Sequence, residues 1–225
     1  MLKNLIDLFF PIVCLSCSNN LVEGEKVLCL HCRHDLPITD HFENPENDIH
    51  KKFYGRLELE FGASILNFHK QGMVQRLIHQ LKYKGHEEVG GYLGGWCGEL
   101  LKENFPNHDF DIIVLVPLHK RKLRQRGYNQ LTQFGLELSK SLEVPLREDI
   151  LHRDFYDVTQ TKKSFFERTT QKTYFGIHRD KNLENKHFLL IDDVITTGGT
   201  LESCGKLLLS IPNARLSILT MANTV

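Results

Sequence analysis

Residues 188–200 limit the possible folds of this chain more than any other segment. They read Phe-Leu-Leu-Ile-Asp-Asp-Val-Ile-Thr-Thr-Gly-Gly-Thr. The four apolar residues from Phe188 to Ile191 are typical of a parallel strand that is buried on both faces. After a polar turn, the apolar pattern continues to Ile211 as a predicted helix, which Pro212 ends. The segment therefore predicts a strand–turn–helix unit, the building block of α/β folds.

The turn in this unit has the features of a phosphate site. Its residues are Thr196, Thr197, Gly198, Gly199 and Thr200. The first N–H groups of a helix have no partner within the helix, and the helix dipole adds partial positive charge there. Glycine lets the backbone come close to a bound anion. Because the turn has no lysine and its two glycines are adjacent, it matches neither the Walker pattern nor the dinucleotide-binding pattern.

Two acids, Asp192 and Asp193, stand between the predicted strand and the turn. Adjacent strand residues point to opposite faces, so both acids can meet one ligand only if the chain leaves the strand near Asp192. Two carboxylates suit the hydroxyls of a ribose or a shared Mg²⁺ ion. We therefore predict a ribose 5-phosphate derivative as the ligand. The alternative, a strand end with threonine caps, explains Thr200 and the glycines but not the two acids.

Residues 190–200 resemble the phosphoribosyl pyrophosphate (PRPP) motif of the type I phosphoribosyltransferases, which is a long and specific pattern. The resemblance implies that the backbone of residues 196–200 holds the 5-phosphate. It also implies that Asp192 and Asp193 hold the ribose hydroxyls, directly or through Mg²⁺. In these enzymes pyrophosphate leaves C1 of the ribose, and an amine or a base nitrogen attacks from the opposite face.

The six cysteines divide into a group of four and two single residues. The four are Cys14, Cys17, Cys29 and Cys32. They form two Cys-x-x-Cys pairs, which predict a Zn²⁺ site of four thiolates. Such a site is structural rather than catalytic, because no ligand position remains open. Two disulfides are the alternative. Cys97 and Cys204 fall within predicted helices, and we expect them to be small buried residues.

The bulk charge of the chain points to no particular partner, because 28 Lys and Arg residues balance 28 Asp and Glu residues. The positive charge is nevertheless concentrated at residues 119–126, which makes single-stranded DNA a candidate partner. The cations of this basic segment are Lys120, Arg121, Lys122, Arg124 and Arg126. No apolar run is long enough to span a bilayer. We expect an amphipathic first helix rather than a signal peptide, and a cytoplasmic protein.

Apolar periodicity extends the α/β prediction to the rest of the chain. Strands are predicted at residues 61–68, 112–116 and 216–221, and helices at residues 73–81, 89–101 and 127–142. Strands that alternate with helices indicate a mostly parallel sheet flanked by helices. The second helix carries glycines at positions 90, 91, 94 and 95. They are consistent either with close packing or with a loose helix start.

The order of motifs along the chain resembles the ComF family, which comprises phosphoribosyltransferase-like proteins of natural competence and DNA uptake. The motifs are the four cysteines, Lys-Tyr-Lys-Gly at 82–85, Val-Pro-Leu-His at 116–119, Arg-Gln-Arg-Gly-Tyr-Asn-Gln at 124–130 and the PRPP motif. Gln160, Arg168 and Phe175 also fit the family pattern, whereas Gln171 stands where asparagine is common. The resemblance implies a zinc-binding module with a leading helix at 1–38, a linker at 39–58 and a type I phosphoribosyltransferase fold at 59–225.

The resemblance also implies which residues surround the pyrophosphate of PRPP. Some of them follow the end of a predicted strand, and the others are cations from several parts of the chain. These residues are Pro117, Leu118 and His119 for the strand end, and Lys82, Arg124, Arg126 and Arg168 for the charge. Arg168 would lie on a loop that closes over the ligand as a lid. The predicted catalytic residues are Asp192, Asp193 and Arg168.

The sequence leaves two classes of function open. The first is a phosphoribosyltransferase that acts in DNA uptake on an unidentified acceptor. The second is a non-catalytic protein of the same fold that senses PRPP or handles single-stranded DNA together with other DNA-uptake proteins. An amidotransferase is disfavoured, because Cys14 is not N-terminal and belongs to a Cys-x-x-Cys pair. The sequence does not indicate an oligomeric state.

Overall fold

The structure is a computed structural model that describes residues 11–155, 173–178 and 180–225. The predicted leading helix lies outside the described residues, and so do Gln160, Arg168 and Gln171. The strands are β1 (Phe61–Phe68), β2 (Ile112–Leu115), β3 (Leu146–Arg147), β4 (Leu151–Phe155), β5 (Thr173–Ile177), β6 (His187–Ile195) and β7 (Arg215–Thr224). The helices are α1 (Leu30–His34), α2 (Asp48–Phe53), α3 (Met73–Tyr83), α4 (Glu88–Asn104), α5 (Lys120–Arg126), α6 (Thr132–Leu142) and α7 (Gly199–Leu209), with a 3₁₀ turn at Lys181–Leu183.

Five of the strands form one sheet in the order β1-β7-β6-β2-β3, and every neighbouring pair in it is parallel. β4 and β5 form a separate antiparallel pair. The residues of β2 and the first five residues of β6 are buried, because helices cover both faces of the sheet. The predicted mostly parallel sheet flanked by helices is confirmed, and so are the strands predicted at 61–68, 112–116 and 216–221.

The chain does not leave the strand near Asp192, so the condition under which both acids could meet one ligand is not fulfilled. β6 continues through both acids to Ile195, with Asp192 opposite Thr220 and Val194 opposite Ala222 on β7. The strand is this long because β7 runs beside it as far as Thr224 and supplies hydrogen-bond partners along the whole length. The two acids therefore lie on opposite faces of the sheet, as the period of two requires.

The helix predicted at residues 127–142 begins later, at Thr132, and a separate short helix that the prediction missed precedes residue 127. The basic segment forms α5, which begins after His119 and ends at Gly127. The ring Nδ1 of His119 accepts a hydrogen bond from the N–H of Arg121 at 3.0 Å and caps the helix start. Gly127 has a φ of 86° and ends α5 in the left-handed conformation that glycine favours. A loop follows, and α6 begins only at Thr132.

Three of the glycines of α4 serve close packing with α6, whereas Gly91 and Gly95 do not. A Cβ at Gly94 would lie 2.5 Å from the carbonyl oxygen of Phe134, and one at Gly98 would lie 2.5 Å from the side chain of Ser141. A Cβ at Gly90 would lie 3.3 Å from the carbonyl oxygen of Gln130. The backbones of α4 and α6 therefore approach each other closely, and this contact fixes the loop that precedes α6.

The cysteine-bearing module packs against the parallel sheet. The N–H of Thr39 donates to the carbonyl of Ile65 at 3.0 Å, and Arg76 on α3 donates to the carbonyl of Ser16 at 2.8 Å. The segment predicted to be a linker contains α2, whose Ile49 and Phe53 are fully buried. The division of the chain into three parts stays a prediction, but α2 belongs to the packed core.

Candidate functional site

The predicted phosphate turn forms an open cavity of about 340 Å³ at the C-terminal end of β6. The cavity is lined by Asp192, Val194, Ile195, Thr196, Thr197, Gly198, Gly199, Thr200 and Leu201. Helix α7 starts at this cavity, and its N-cap residue, Gly198, has no side chain to cap the first N–H groups. These groups and the helix dipole remain available to an anion. The structure thus brings Asp192 and all five turn residues together.

Gly198 is required by the shape of this turn. Its φ is 78°, and a Cβ there would lie 2.9 Å from two ring atoms of Phe53 on α2. Gly199 is different, because the nearest atom to a Cβ at this position would be the Oγ1 of Thr197, 3.9 Å away. The turn therefore depends on glycine at position 198 for two independent reasons, the backbone conformation and the contact with α2.

Arg56 stabilises the same turn, although no pattern in the sequence predicts this contact. Its Nη1 donates to the carbonyl of Thr197 at 2.9 Å, and its guanidinium pairs with Glu202 in the first turn of α7. Arg56 follows α2, so the residue lies 141 positions before Thr197 in the chain. No local motif marks such a contact. Arg56 binds the carbonyl of Thr197 and so fixes the turn. The N–H groups of the turn stay available at the cavity.

Asp193 has a different environment from Asp192. Its Oδ1 accepts from the Nζ of Lys82 at 2.8 Å, and its Oδ2 accepts from the Nε2 of Gln130 at 2.8 Å. Lys82 belongs to α3, and Gln130 lies in the loop between α5 and α6. The carboxylate is buried, so this cation and this amide replace the water that would otherwise solvate it. The predicted site residues Lys82 and Asp193 are therefore partners of each other in this structure.

The pKa of Asp192 lies well above its usual range. Burial raises it most, the charge of Asp193 raises it further, and the pKa reaches about 8. The N–H of Asp193 donates to the Asp192 Oδ1 at 2.8 Å and acts in the opposite direction, as does the charge of Lys82. Without a ligand, Asp192 is therefore largely protonated at neutral pH. A bound cation would favour its charged form.

Lys82 and Arg126 line a second cavity of about 420 Å³. Its other lining residues are Tyr83, Gly85, Lys122, Gln125 and Tyr128. The guanidinium of Arg126 lies over the ring of Tyr83, 5.5 Å from its centre. Three cations around one cavity suit an anionic group. The structure thus groups two of the predicted pyrophosphate residues and adds Lys122, which the prediction had not included among them.

The other predicted pyrophosphate residues lie apart from these two cavities. Pro117 and Leu118 line a third cavity of about 250 Å³ together with Asn129 and Glu148. His119 is buried as the cap of α5, and its pKa is lowered by burial and by the nearby positive charges of Arg153, Lys122 and Arg121. Arg124 is exposed on α5 and lines none of the three cavities. Arg168 lies outside the described residues.

The four cysteines of the N-terminal module form one cluster. Their sulfur atoms all lie within 4.8 Å of one another, and none of them is in a disulfide. Four thiolates around a Zn²⁺ ion, with Zn–S bonds of about 2.3 Å, would lie about 3.8 Å apart. The Sγ atoms of Cys17 and Cys29 are 3.7 Å apart. The geometry fits a tetrahedral metal site, while the identity of the metal stays a prediction.

The pKa values of these thiols are also consistent with a cation bound between them. Burial and contacts with the other cysteines raise the pKa of Cys32 to about 12. Burial raises the pKa of Cys14 too, but N–H groups of Cys17, Cys29 and Ser16 outweigh this and lower it to about 7. Four thiolates cannot be charged together at neutral pH without a positive ion between them. Cys97 and Cys204 are fully buried in α4 and α7, as predicted.

A Ser–His–Asp arrangement lies at the end of the sheet opposite the phosphate turn, and its role is structural rather than catalytic. The Nδ1 of His187 lies 2.7 Å from Oδ1 of Asp109, and its Nε2 lies 2.8 Å from Oγ of Ser217. These are the contacts of a hydrolase triad, but Ser217 is fully buried and no substrate could reach it. The three residues therefore satisfy each other's polar groups at the starts of β6 and β7.

Comparison with known proteins agrees with the geometry. Competence protein F of Haemophilus influenzae is 26% identical over 89% of this chain and 92% of its own length. Competence protein ComFC of Bacillus subtilis is 24% identical over 88% of this chain and 78% of its own. This chain is a homologue of the ComF competence proteins. The DNA utilization protein YhgH of Escherichia coli K12 is 29% identical over 66% of either chain.

A family model, the phosphoribosyl transferase domain, matches residues 132–222 of this ComF homologue. The matched region begins in α6 and includes β6, the phosphate turn and α7. Together with the parallel sheet and the four-cysteine cluster, it confirms the predicted type I phosphoribosyltransferase fold with an N-terminal cysteine module. Within the described part of the chain, we find no helix that is both long and apolar enough to cross a membrane.

Proposed function

We propose that this ComF homologue binds PRPP and acts as a phosphoribosyltransferase in DNA uptake, on an acceptor still to be identified. The observation that carries the proposal is the cavity where Asp192 faces the free N-terminus of α7. A 5-phosphate at the helix start would place the attached ribose beside Asp192. A protonated carboxyl can donate one hydrogen bond and accept another, which matches a ribose hydroxyl.

The pyrophosphate of PRPP would be held by the cavity that contains Lys82, Lys122 and Arg126. Loss of pyrophosphate from C1 leaves positive charge on the ribose and negative charge on the leaving group. Catalysis then needs accurate positioning and charge neutralisation rather than covalent help from the protein. The cations of this cavity would neutralise the leaving group, and Asp192 would stabilise the ribose.

The residues present also fit the two proposed metal ions. Asp192 offers oxygen, the ligand type that Mg²⁺ prefers, and Mg²⁺ commonly binds through one carboxylate together with substrate oxygens. When bound, it would neutralise charge on PRPP. The four-cysteine cluster suits a structural Zn²⁺ ion, which would hold Cys14 to Cys32 together in a module too small to fold alone.

Calorimetric titration with PRPP and Mg²⁺ tests the proposal. We expect saturable binding by the wild-type chain and its loss in the Asp192→Asn, Asp193→Asn double variant. Asp48→Asn removes an exposed acid of α2 and serves as the matched control. Release of pyrophosphate on addition of bases or amines would identify the acceptor class. Absence of PRPP binding by a folded, zinc-loaded wild-type chain would overturn the proposal.

A non-catalytic role in handling single-stranded DNA is the second candidate function. Helix α5 carries five cations in seven residues, and Tyr83 is exposed beside them. Cations that follow a phosphate backbone and aromatic rings that stack on bases are the usual elements of such sites. The relative from Escherichia coli is named a DNA utilization protein, which also supports a role that involves DNA.

Binding of a fluorescent oligonucleotide at several salt concentrations tests this candidate. Replacement of Lys120 and Arg121 by Gln should weaken binding and reduce its salt dependence. The control is the Lys102→Gln, Lys140→Gln variant, which removes the same charge from α4 and α6. Equal binding by both variants would exclude α5 as the DNA contact.

A further inference from the structure

Two groups that carry negative charge lie close to the free N–H groups at the start of α7. One is the carbonyl oxygen of Thr197 in the phosphate turn, and the other is the carboxylate of Glu202 in the first turn of the helix. Contacts with Lys206 and Arg56 lower the pKa of Glu202, so its carboxylate is ionised at neutral pH. Negative charge at this place opposes the binding of an anion and competes with it for the helix dipole.

Arg56 binds both of these groups with one guanidinium. Its Nη1 donates to the carbonyl of Thr197 at 2.9 Å, and its Nε donates to Oε2 of Glu202 at 2.9 Å. Its Nη2 lies 2.5 Å from the same carboxylate oxygen. The lining of the phosphate cavity ends at Leu201, so the neutralised carboxylate of the next residue lies just beside the cavity.

Contacts with α2 hold the Arg56 side chain in this place. Its Nη1 also donates to the carbonyl of Lys52 at 2.9 Å, and its guanidinium lies 5.7 Å from the ring centre of Phe53. Phe53 is fully buried, and its ring is the one that leaves no room for a Cβ at Gly198. Arg56 therefore reaches the phosphate turn from the packed end of α2, which lies outside the region that the family model matches.

We infer that Arg56 is a positioning residue, which makes the start of α7 available to the 5-phosphate of the ligand because it neutralises Glu202. This inference rests on the phosphate site of the proposed function and assigns a role that the PRPP motif does not contain. Lys206 contacts the other carboxylate oxygen at 2.5 Å, but it lies one turn further along α7 and is 61% exposed. Arg56 is thus the cation that separates the charge of Glu202 from the phosphate turn.

This role predicts how three variants differ in their affinity for ribose 5-phosphate. Arg56→Gln leaves the acid without its nearer cation, so the affinity should fall about tenfold at low ionic strength. The Arg56→Gln, Glu202→Gln double variant has lost the acid as well, and its affinity should return to within about threefold of the wild-type value. Glu202→Gln alone should bind more tightly than the wild type, because both cations remain. Calorimetric titration measures the dissociation constant of each protein.

Salt separates an effect of charge from an effect of shape. The distance over which charges interact falls from about 30 Å at an ionic strength of about 0.01 M to about 3 Å at about 1 M. The ratio between the dissociation constants of Arg56→Gln and the wild type should therefore fall from about ten towards about two over this range. A turn that had only lost its shape would show the same ratio at both ionic strengths.

Arg215→Gln is the matched control for the loss of an arginine. Arg215 also pairs with an acid, Asp109 at 2.6 Å, but at the start of β7 and thus at the opposite end of the sheet. This variant should bind ribose 5-phosphate as the wild type does. Thermal unfolding of each variant, with zinc bound, shows whether the fold is retained. If Arg56→Gln does not fold, Glu202→Gln decides the question, since it leaves the contact between Arg56 and Thr197 in place.

Recovery of affinity in the double variant, together with a loss that salt reduces, would support the inference, as would tighter binding by Glu202→Gln. It would be overturned by a double variant as weak as Arg56→Gln, by a ratio that salt does not change, or by wild-type affinity in Arg56→Gln. Equal or weaker binding by Glu202→Gln would also contradict it.

Ribose 5-phosphate separates this inference from the proposed function, because it carries the phosphate of PRPP without the pyrophosphate. A wild-type chain that binds ribose 5-phosphate but not PRPP would refute the proposed function alone, and the variants would still decide the role of Arg56. A chain that binds neither ligand would refute both. If the wild-type chain binds PRPP alone, the same variants are compared with PRPP, which carries the same 5-phosphate.

Discussion

The Nζ of Lys82 lies 2.8 Å from the Oδ1 of Asp193, across 111 positions of sequence. The contact joins the last turn of α3 to the end of β6. Both side chains are largely buried, with 23% and 9% of their surface exposed. A carboxylate with so little access to water needs a counter-charge, and Lys82 supplies it. In the free chain, the lysine of the Lys-Tyr-Lys-Gly motif thus stabilises one of the two predicted ribose acids.

Replacement of Lys82 by Met should therefore affect both stability and ligand binding. We expect the free energy of unfolding to fall by roughly 2 kcal/mol, because the change leaves a buried carboxylate without its cation and the partial exposure of the pair reduces the cost. PRPP should bind at least tenfold more weakly. Urea unfolding and calorimetry measure the two effects.

Lys84→Met is the matched control for this change. Lys84 lies two residues further along, is exposed, and should tolerate the substitution within about 0.5 kcal/mol. If Lys82→Met were as stable as this control, the ion pair with Asp193 would contribute nothing to the fold.

The phosphate turn allows a comparison between two neighbouring glycines. Gly198→Ala should destabilise the chain by about 1–3 kcal/mol, because alanine is strained at positive φ and its Cβ meets the ring of Phe53. PRPP binding should be lost with the shape of the turn. Gly199→Ala should leave stability and binding nearly unchanged, since this position is helical and open. Similar effects of the two changes would show that the turn has no special need for Gly198.

Local patterns explain what the sequence could predict of this fold. Strands β1, β2 and β7 and helices α3 and α4 follow from apolar periodicity, and the cysteine cluster follows from the spacing of two Cys-x-x-Cys pairs. The phosphate turn is also local, since one short segment supplies the strand end, the glycines and the helix start. All of these features lie within a few residues of the pattern that predicts them.

Contacts between distant segments explain what the sequence did not predict. The strand β6 runs past Asp192 because β7 continues beside it, which no property of the acids themselves indicates. Arg56 and Gln130 reach their partners only after α2 and the loop before α6 have packed in place. The short helix α5 was missed because five cations without a buried residue give no apolar period.

The raised pKa of Asp192 predicts how stability depends on pH. Its pKa is about 8 in the folded chain against 3.8 in the unfolded chain, so the folded state holds a proton that the unfolded state releases between these values. Stability from this group is therefore fully present below about pH 4 and is lost as pH rises towards 8. Because Asp192 is only half-buried and lines an open cavity, we expect a loss of only ~2 kcal/mol rather than the full linkage value.

Asp192→Asn removes this proton linkage without removing the side chain. The difference in unfolding free energy between wild type and variant should shift in favour of the variant as pH rises from 5 to 8.5. Other titrating groups occur in both proteins and cancel in the difference. A difference that stays constant with pH would mean that the pKa of Asp192 is close to its usual value.

Metal removal should unfold the N-terminal module and weaken its contact with α3. We expect one Zn²⁺ per chain by elemental analysis, and a lower melting temperature after chelation, because metal binding supplies folding energy to a cluster of four thiolates. Cys29→Ser should lose the metal and reproduce the effect of the chelator. Cys204→Ala is the matched control, since this buried cysteine of α7 lies outside the cluster and should leave the metal content unchanged. A metal-free wild-type chain with an unaltered melting temperature would contradict the assignment of the four cysteines as a structural zinc site.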